Sequence, residues 1–155
     1  MTSSRWILQN LLVAVALTAA ACGGSSTTPS TTRPSTVPET VTTLAVGGVV
    51  FGEGVLPDSV PSGFPVPIGA VVGSTMVDPG SGTTEFVLTL PADVPGAADY
   101  FEQNLPIGGF QVTETGGTAA EWKVAFGNDA VEGTIVLRAA ANGLSSAAVR
   151  IIETP

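Results

Sequence analysis

The second half of the chain alternates apolar and polar residues in short runs, which is the pattern of strands with one buried face. Six segments show it: residues 70–77, 84–90, 110–113, 121–126, 131–138 and 147–151. Turn-forming sequences separate them, including residues 78–82 and the pair Asn142-Gly143, which is typical of a type I′ hairpin turn. The pattern therefore predicts six strands.

One segment has a helical repeat instead. Apolar residues recur there at spacings of one, three and four, namely Val94, Ala97, Ala98, Phe101 and Leu105. Asp93 is a suitable N-cap, and Pro95 is tolerated in a first helical turn. Pro106 and the two glycines that follow Ile107 are typical of a helix end. We therefore predict one amphipathic helix that begins after Asp93 and ends near Pro106.

The order of these elements is strand, strand, helix and then a four-strand meander. One amphipathic helix cannot cover its own apolar face, and an antiparallel sheet with one apolar face also needs a cover. Packing the helix across the sheet satisfies both requirements. The sequence therefore predicts a two-layer α+β fold, in which an antiparallel sheet packs on a single helix.

The N-terminal part of the chain has a different composition. Arg5 is the only charged residue before an apolar stretch that is strongest over residues 11–21. This stretch is too short for a transmembrane helix, which needs about 20 apolar residues, but it fits the apolar region of a signal peptide. Residues 23–43 are rich in Ser, Thr, Pro and Gly, a composition that predicts disorder. Residues 44–54 are apolar but interrupted by glycine, and we expect partial order there at best.

The stretch LTAAACGG, residues 17–24, contains the only cysteine of the chain. It resembles the lipobox of bacterial lipoproteins, in which small residues precede a cysteine at the cleavage site. The resemblance implies cleavage after Ala21 and a diacylglyceryl group on the Cys22 thiol, with fatty acids such as palmitate. Acylated Cys22 would then insert into the membrane lipid. An ordinary secretory signal cut near Ala21 and an uncut anchor helix are the alternatives.

These expectations divide the chain into three parts. Residues 1–21 are predicted to be the signal peptide, residues 22–54 the lipidated cysteine and a disordered linker, and residues 55–155 the folded domain. Three parts of the domain resemble small lipoproteins of actinobacteria. They are FPVP at residues 64–67, the pair Tyr100-Phe101, and the segment that runs from GF at residues 109–110 to Trp122. That resemblance implies no activity.

Charge and composition exclude several kinds of function. The chain has 13 acidic and 5 basic residues, a net charge of −8, which argues against binding to nucleic-acid phosphates. It has no histidine, so the commonest general base and metal ligand is missing. The carboxylates are the remaining candidates for catalysis, and we expect them to form a solvated acidic surface. We predict no catalytic residue, no metal site and no cofactor.

Four aromatic residues suggest a different kind of site. Tyr100 and Phe101 lie on the predicted helix, and Trp122 and Phe126 lie on one predicted strand. They could line an apolar pocket between helix and sheet, or they could simply form the core.

Two main functional hypotheses follow from these observations. The first is a non-enzymatic binding module, lipid-anchored at the extracytoplasmic face of the cell membrane, whose partner is a cell-envelope protein or another envelope component. The second is a carrier of an apolar, lipid-like ligand between helix and sheet. A small hydrolase is the least favoured hypothesis, because the sequence shows no set of catalytic residues.

Overall fold

The structure, a computed structural model, describes residues 43–155. The predicted signal peptide, the cleavage site after Ala21, Cys22 and the linker up to residue 42 lie outside these residues.

Eight strands form one antiparallel sheet in the order β1-β2-β3-β4-β8-β7-β6-β5. The strands are β1 Leu44–Val46, β2 Val49–Glu53, β3 Val71–Asp78, β4 Thr83–Leu90, β5 Gln111–Gly117, β6 Glu121–Gly127, β7 Val131–Ala139 and β8 Ser145–Glu153. The helix α1, Val94–Ile107, connects β4 to β5, and a short 3₁₀ turn, Ala141–Gly143, precedes β8. Every neighbouring pair of strands is antiparallel.

The predicted fold class was wrong. Instead of two α+β layers built from a strand pair, a helix and a four-strand meander, the structure is mainly one eight-stranded antiparallel sheet, with 50% strand and 15% helix among the described residues. Two of the eight strands come from residues 44–53, which the sequence pattern had assigned to the linker. They form a hairpin through Gly47 and Gly48, whose φ angles of 60° and 89° favour glycine.

The sheet is continuous because its last strand returns to the middle. β8 pairs with β4 along its whole length, from Thr83 opposite Ile152 to Leu90 opposite Ser145, and pairs with β7 on its other side. Strands distant in sequence are therefore neighbours at the centre. Single-sequence alternation predicts strands but carries no information about this pairing.

The helix prediction is confirmed. Asp93 is the N-cap, and its Oδ1 accepts a hydrogen bond from the backbone N–H of Gly96 at 3.0 Å. Pro95 lies in the first turn, and the backbone N–H of Gly108 bonds the carbonyl of Asn104 at the C-terminal end. The apolar face contacts β5, β6 and β7.

The core lies between α1 and the side of the sheet that it covers. Its largest fully buried side chains are Phe86, Phe101, Leu88, Leu90, Leu105, Ile135, Leu137, Ile151, Val94 and Val124. Strand residues on this side alternate with exposed or half-buried residues on the other, as in β8. Burial of this surface is the main stabilising contribution to the fold.

The loop between β2 and β3 adds one essential core residue. Phe64 is 8% exposed, and its ring centroid lies 5.6 Å from that of Phe86 and 5.7 Å from that of Phe126. The preceding residue, Gly63, packs closely against the end of α1. A β-carbon added at Gly63 would lie 2.7 Å from the Gly108 carbonyl oxygen. The loop therefore closes the space between helix and sheet.

Candidate functional site

The side of the sheet opposite α1 carries apolar side chains next to charged ones, at positions that are exposed or half-buried. Alternate residues of the four central strands point there, among them Glu85 and Val87 of β4, Ala148 and Arg150 of β8, and Val136 of β7. All five are exposed or half-buried, whereas their chain neighbours on the helix side are buried. We call this surface the open sheet face.

The open sheet face contains two adjoining hollows. The first, of about 570 Å³, is lined by apolar groups of Phe51, Met76, Val87, Val136 and Ala148. The second, of about 660 Å³, is more polar and is lined by groups that include Gln111, Thr113, Asn128, Asp129 and Glu132. We refer to them as the apolar hollow and the polar hollow.

Thr134 and Arg150 line both hollows and mark their junction. They are cross-strand partners between β7 and β8, and Arg150 also faces Glu85 on β4. The two hollows are thus parts of one surface that changes from apolar to polar across this row of residues.

The cations of the open sheet face are each paired with a carboxylate. Arg150 Nε lies 3.3 Å from Glu85 Oε1, Arg138 Nε lies 2.8 Å from Glu121 Oε2, and Lys123 Nζ lies 3.2 Å from Glu114 Oε2. These three cations are all the lysines and arginines within residues 43–155. Acidic residues outnumber them in this range, so the domain carries a negative charge. Such a charge disfavours anionic ligands and favours basic ones.

The four aromatic residues predicted to line a pocket lie in or beside the core. Phe101 and Phe126 are buried. The ring centroid of Phe64 lies 6.2 Å from that of Phe101 and 5.7 Å from that of Phe126. Tyr100 and Trp122 are half-buried and pack against the same core. The space where helix meets sheet around Phe64 is therefore filled by side chains. Phe126, a residue of β6, also lines the polar hollow.

Trp122 has a second role at the surface. Its indole Nε1 donates a hydrogen bond to Thr115 Oγ1 at 2.9 Å, and Thr115 Oγ1 donates one to Glu102 Oε1 on α1 at 2.5 Å. This chain of hydrogen bonds links the helix to β5 and β6. The arrangement joins the helix to this edge of the sheet.

The carboxylates are dispersed. Within the described part of the chain, no group of three or more His, Cys, Asp or Glu side chains is placed to hold a metal ion. Asp78, on the turn between β3 and β4, accepts a hydrogen bond from Ser81 Oγ at 2.8 Å and one from the Gly80 N–H at 3.0 Å. The Ser81 hydrogen bond is the main cause that lowers the pKa of the Asp78 carboxyl below its ordinary value. Its role is to hold the turn.

Sequence reasoning missed the open sheet face. The signal for it is present in β7, where the consecutive residues Ile135, Val136 and Leu137 interrupt the strict alternation of apolar and polar positions. Val87 makes a similar interruption between Phe86 and Leu88 in β4. Apolar residues at positions expected to be polar indicate that the second face of a sheet is also used.

Comparisons with protein-family models, with curated proteins and with solved structures find no match to this chain.

Among residues 43–155, no helix is both long and apolar enough to cross a membrane.

Proposed function

We propose that this chain is a lipid-anchored lipoprotein of the cell envelope, whose domain is a non-enzymatic binding module at the extracytoplasmic face of the membrane. The anchor rests on the stretch LTAAACGG and its likeness to a lipobox, with Cys22 as the acylated residue. Two or more acyl chains hold a protein firmly in a bilayer, because each buried methylene contributes about 0.8 kcal/mol.

The observation that supports a binding role is the apolar hollow of the open sheet face. Phe51, Met76 and Val136 line it at a surface where a sheet that faces only water would present polar side chains. Apolar groups gathered in a surface concavity are typical of sites that take up a partner. The only charged residues that line the hollow, Glu85 and Arg150, form an ion pair, so a partner that covers it would meet no unpaired charge among its lining residues.

The partner that fits this surface is a protein segment with apolar side chains flanked by basic ones. The apolar side chains would fill the apolar hollow. The basic ones would lie near Asp129 and Glu132 of the polar hollow. The filled space around Phe64 favours binding at this surface over the carriage of an apolar ligand between helix and sheet.

Capture of the partner from solubilised membranes tests the proposal. The bait is the full acylated chain, compared with the variant Ala148→Glu, which places a carboxylate in the apolar hollow. The matched control is Gln103→Glu, which adds the same charge at an exposed position of α1 on the other side of the sheet.

We expect a captured protein whose yield falls about tenfold or more with Ala148→Glu and is unchanged with Gln103→Glu, because a carboxylate buried against an apolar partner costs well over 1.4 kcal/mol. Equal capture by all three baits, or loss with the control variant alone, would show that the open sheet face is not the binding surface.

A further inference from the structure

The hairpin of β1 and β2 exposes apolar side chains on one face. Leu44 pairs with Phe51 and Val46 pairs with Val49, so the four side chains lie on the same side of the hairpin. Leu44 is 63% exposed, Val46 68% and Phe51 44%. We call these four residues the hairpin patch.

The hairpin patch lies in an uncharged part of an acidic domain. No charged residue occurs between Glu39 and Glu53, although the domain as a whole is acidic. An acidic domain is repelled by the anionic surface of a membrane, and an uncharged segment is not. The hairpin can therefore approach lipid without electrostatic repulsion of its own.

The position of the hairpin in the sheet also favours contact with the membrane. β1 is the first described element and lies at one edge of the sheet, so the chain that leads from Cys22 enters the domain there. The segment between Cys22 and Thr43 has 20 residues, so Thr43 stays within about 70 Å of the anchor whatever the conformation of the segment. Such a tether keeps the hairpin patch near the surface at an effective concentration of about millimolar, at which weak apolar contacts suffice.

From these observations we infer that the hairpin patch docks on the lipid surface through its two most exposed residues, with Leu44 and Val46 inserted among the headgroups, while Phe51 stays in the lining of the apolar hollow. Docking would fix the orientation of the domain and hold the β1 edge of the sheet at the membrane. The inference rests on the proposed anchor, because the tether supplies the proximity that it needs.

The test supplies the anchor artificially. The mature chain, residues 22–155, is coupled through its single cysteine to a thiol-reactive lipid in phosphatidylcholine vesicles. Failure of docking is then distinguishable from failure of the proposed anchor, because the tether is present whether or not cells acylate Cys22. A polarity-sensitive fluorescent amino acid is placed at position 46, and a matched control probe is placed at position 68, where Ile68 is 98% exposed.

We expect the probe at position 46 to shift to shorter wavelength and to be quenched by lipids brominated in their acyl chains, and the probe at position 68 to be unaffected. The quenching should fall when Leu44→Ser is added, since the exposed position tolerates this change in the folded domain.

Three outcomes would overturn the inference. The first is a probe at position 46 that the brominated lipids do not quench. The second is equal quenching at positions 46 and 68. The third is a spectral shift at position 46 that grows with protein concentration in the absence of vesicles, which would assign the hairpin patch to a second copy of the chain.

Discussion

Arg150 on β8 and Glu85 on β4 are direct cross-strand partners at the centre of the open sheet face, with Arg150 Nε 3.3 Å from Glu85 Oε1. Their side chains are 59% and 44% exposed, so the ion pair contributes little to folding, roughly 0–1 kcal/mol. Its position is more informative than its energy. The pair neutralises the junction of the two hollows and leaves the apolar hollow without an unpaired charge at that border.

The ring of Phe64 holds the helix side of the sheet together. Phe64→Ala should lower the free energy of unfolding by about 3–5 kcal/mol, because it removes a ring that contacts four other phenylalanines. Ile68→Ala, in the same loop but 98% exposed, should change it by less than about 0.5 kcal/mol. Chemical denaturation of both variants checks this. Similar losses for the two would mean that Phe64 does not close the core.

Gly133 and Phe126 face each other across β7 and β6, and the Phe126 ring occupies the space beside the Gly133 α-carbon. Gly133→Ala should therefore destabilise the fold by about 1–3 kcal/mol through overpacking. The control is Gly116→Ala, also in a strand, where an added β-carbon meets no atom within 4 Å. Thermal unfolding of the two variants gives the comparison, and a Gly133→Ala protein as stable as the control would show that the Phe126 ring does not fill the space beside Gly133.

Ser145 is fully buried on the helix side of β8, and its Oγ has no hydrogen-bond partner among residues 43–155. A buried hydroxyl without a partner costs about 1–3 kcal/mol. Ser145→Ala should therefore raise the free energy of unfolding by about 1 kcal/mol, whereas Ser146→Ala on the other face should leave it nearly unchanged. Urea denaturation measures both, and a loss of stability in Ser145→Ala would show that the hydroxyl is satisfied.

The turn at Asp78 should make stability depend on pH in a defined direction. Because the Ser81 hydrogen bond lowers the pKa of Asp78 in the folded state, the stabilisation is present above the ordinary aspartate pKa of about 3.9 and is lost as the pH falls through the folded pKa. In Ser81→Ala the pKa should rise towards the ordinary value. Carboxyl NMR titration measures it, with Ser62→Ala as the control. An unchanged Asp78 pKa in Ser81→Ala would contradict the assignment.

Local features of this fold could be predicted from the sequence. The helix is set by Asp93 at its start, by the apolar spacing of Phe101 and Leu105, and by Pro106 and two glycines at its end, all of which act within a few residues. The Asn142-Gly143 turn is likewise local, with Asn142 at φ 61° and Gly143 at φ 73°.

The fold class depended on contacts that sequence patterns do not contain. The pairing of β8 with β4 joins residues far apart in the chain, and the β1–β2 hairpin is hidden by glycines that also suit a linker. Phe64 lies among prolines that forbid regular structure, yet its ring enters the core. The open sheet face was missed for a related reason, since strand alternation was taken to mean that only one face is used.

The acyl anchor on Cys22 is the claim on which both the proposed location and the docking of the hairpin patch in cells depend. Intact mass spectrometry of the protein extracted from the membranes of the cells that make it tests this claim most directly. We predict a chain that begins at Cys22 and carries a diacylglyceryl group with at least two fatty-acyl chains. A mature chain with a free thiol at Cys22, or one that still carries residues 1–21, would contradict the account.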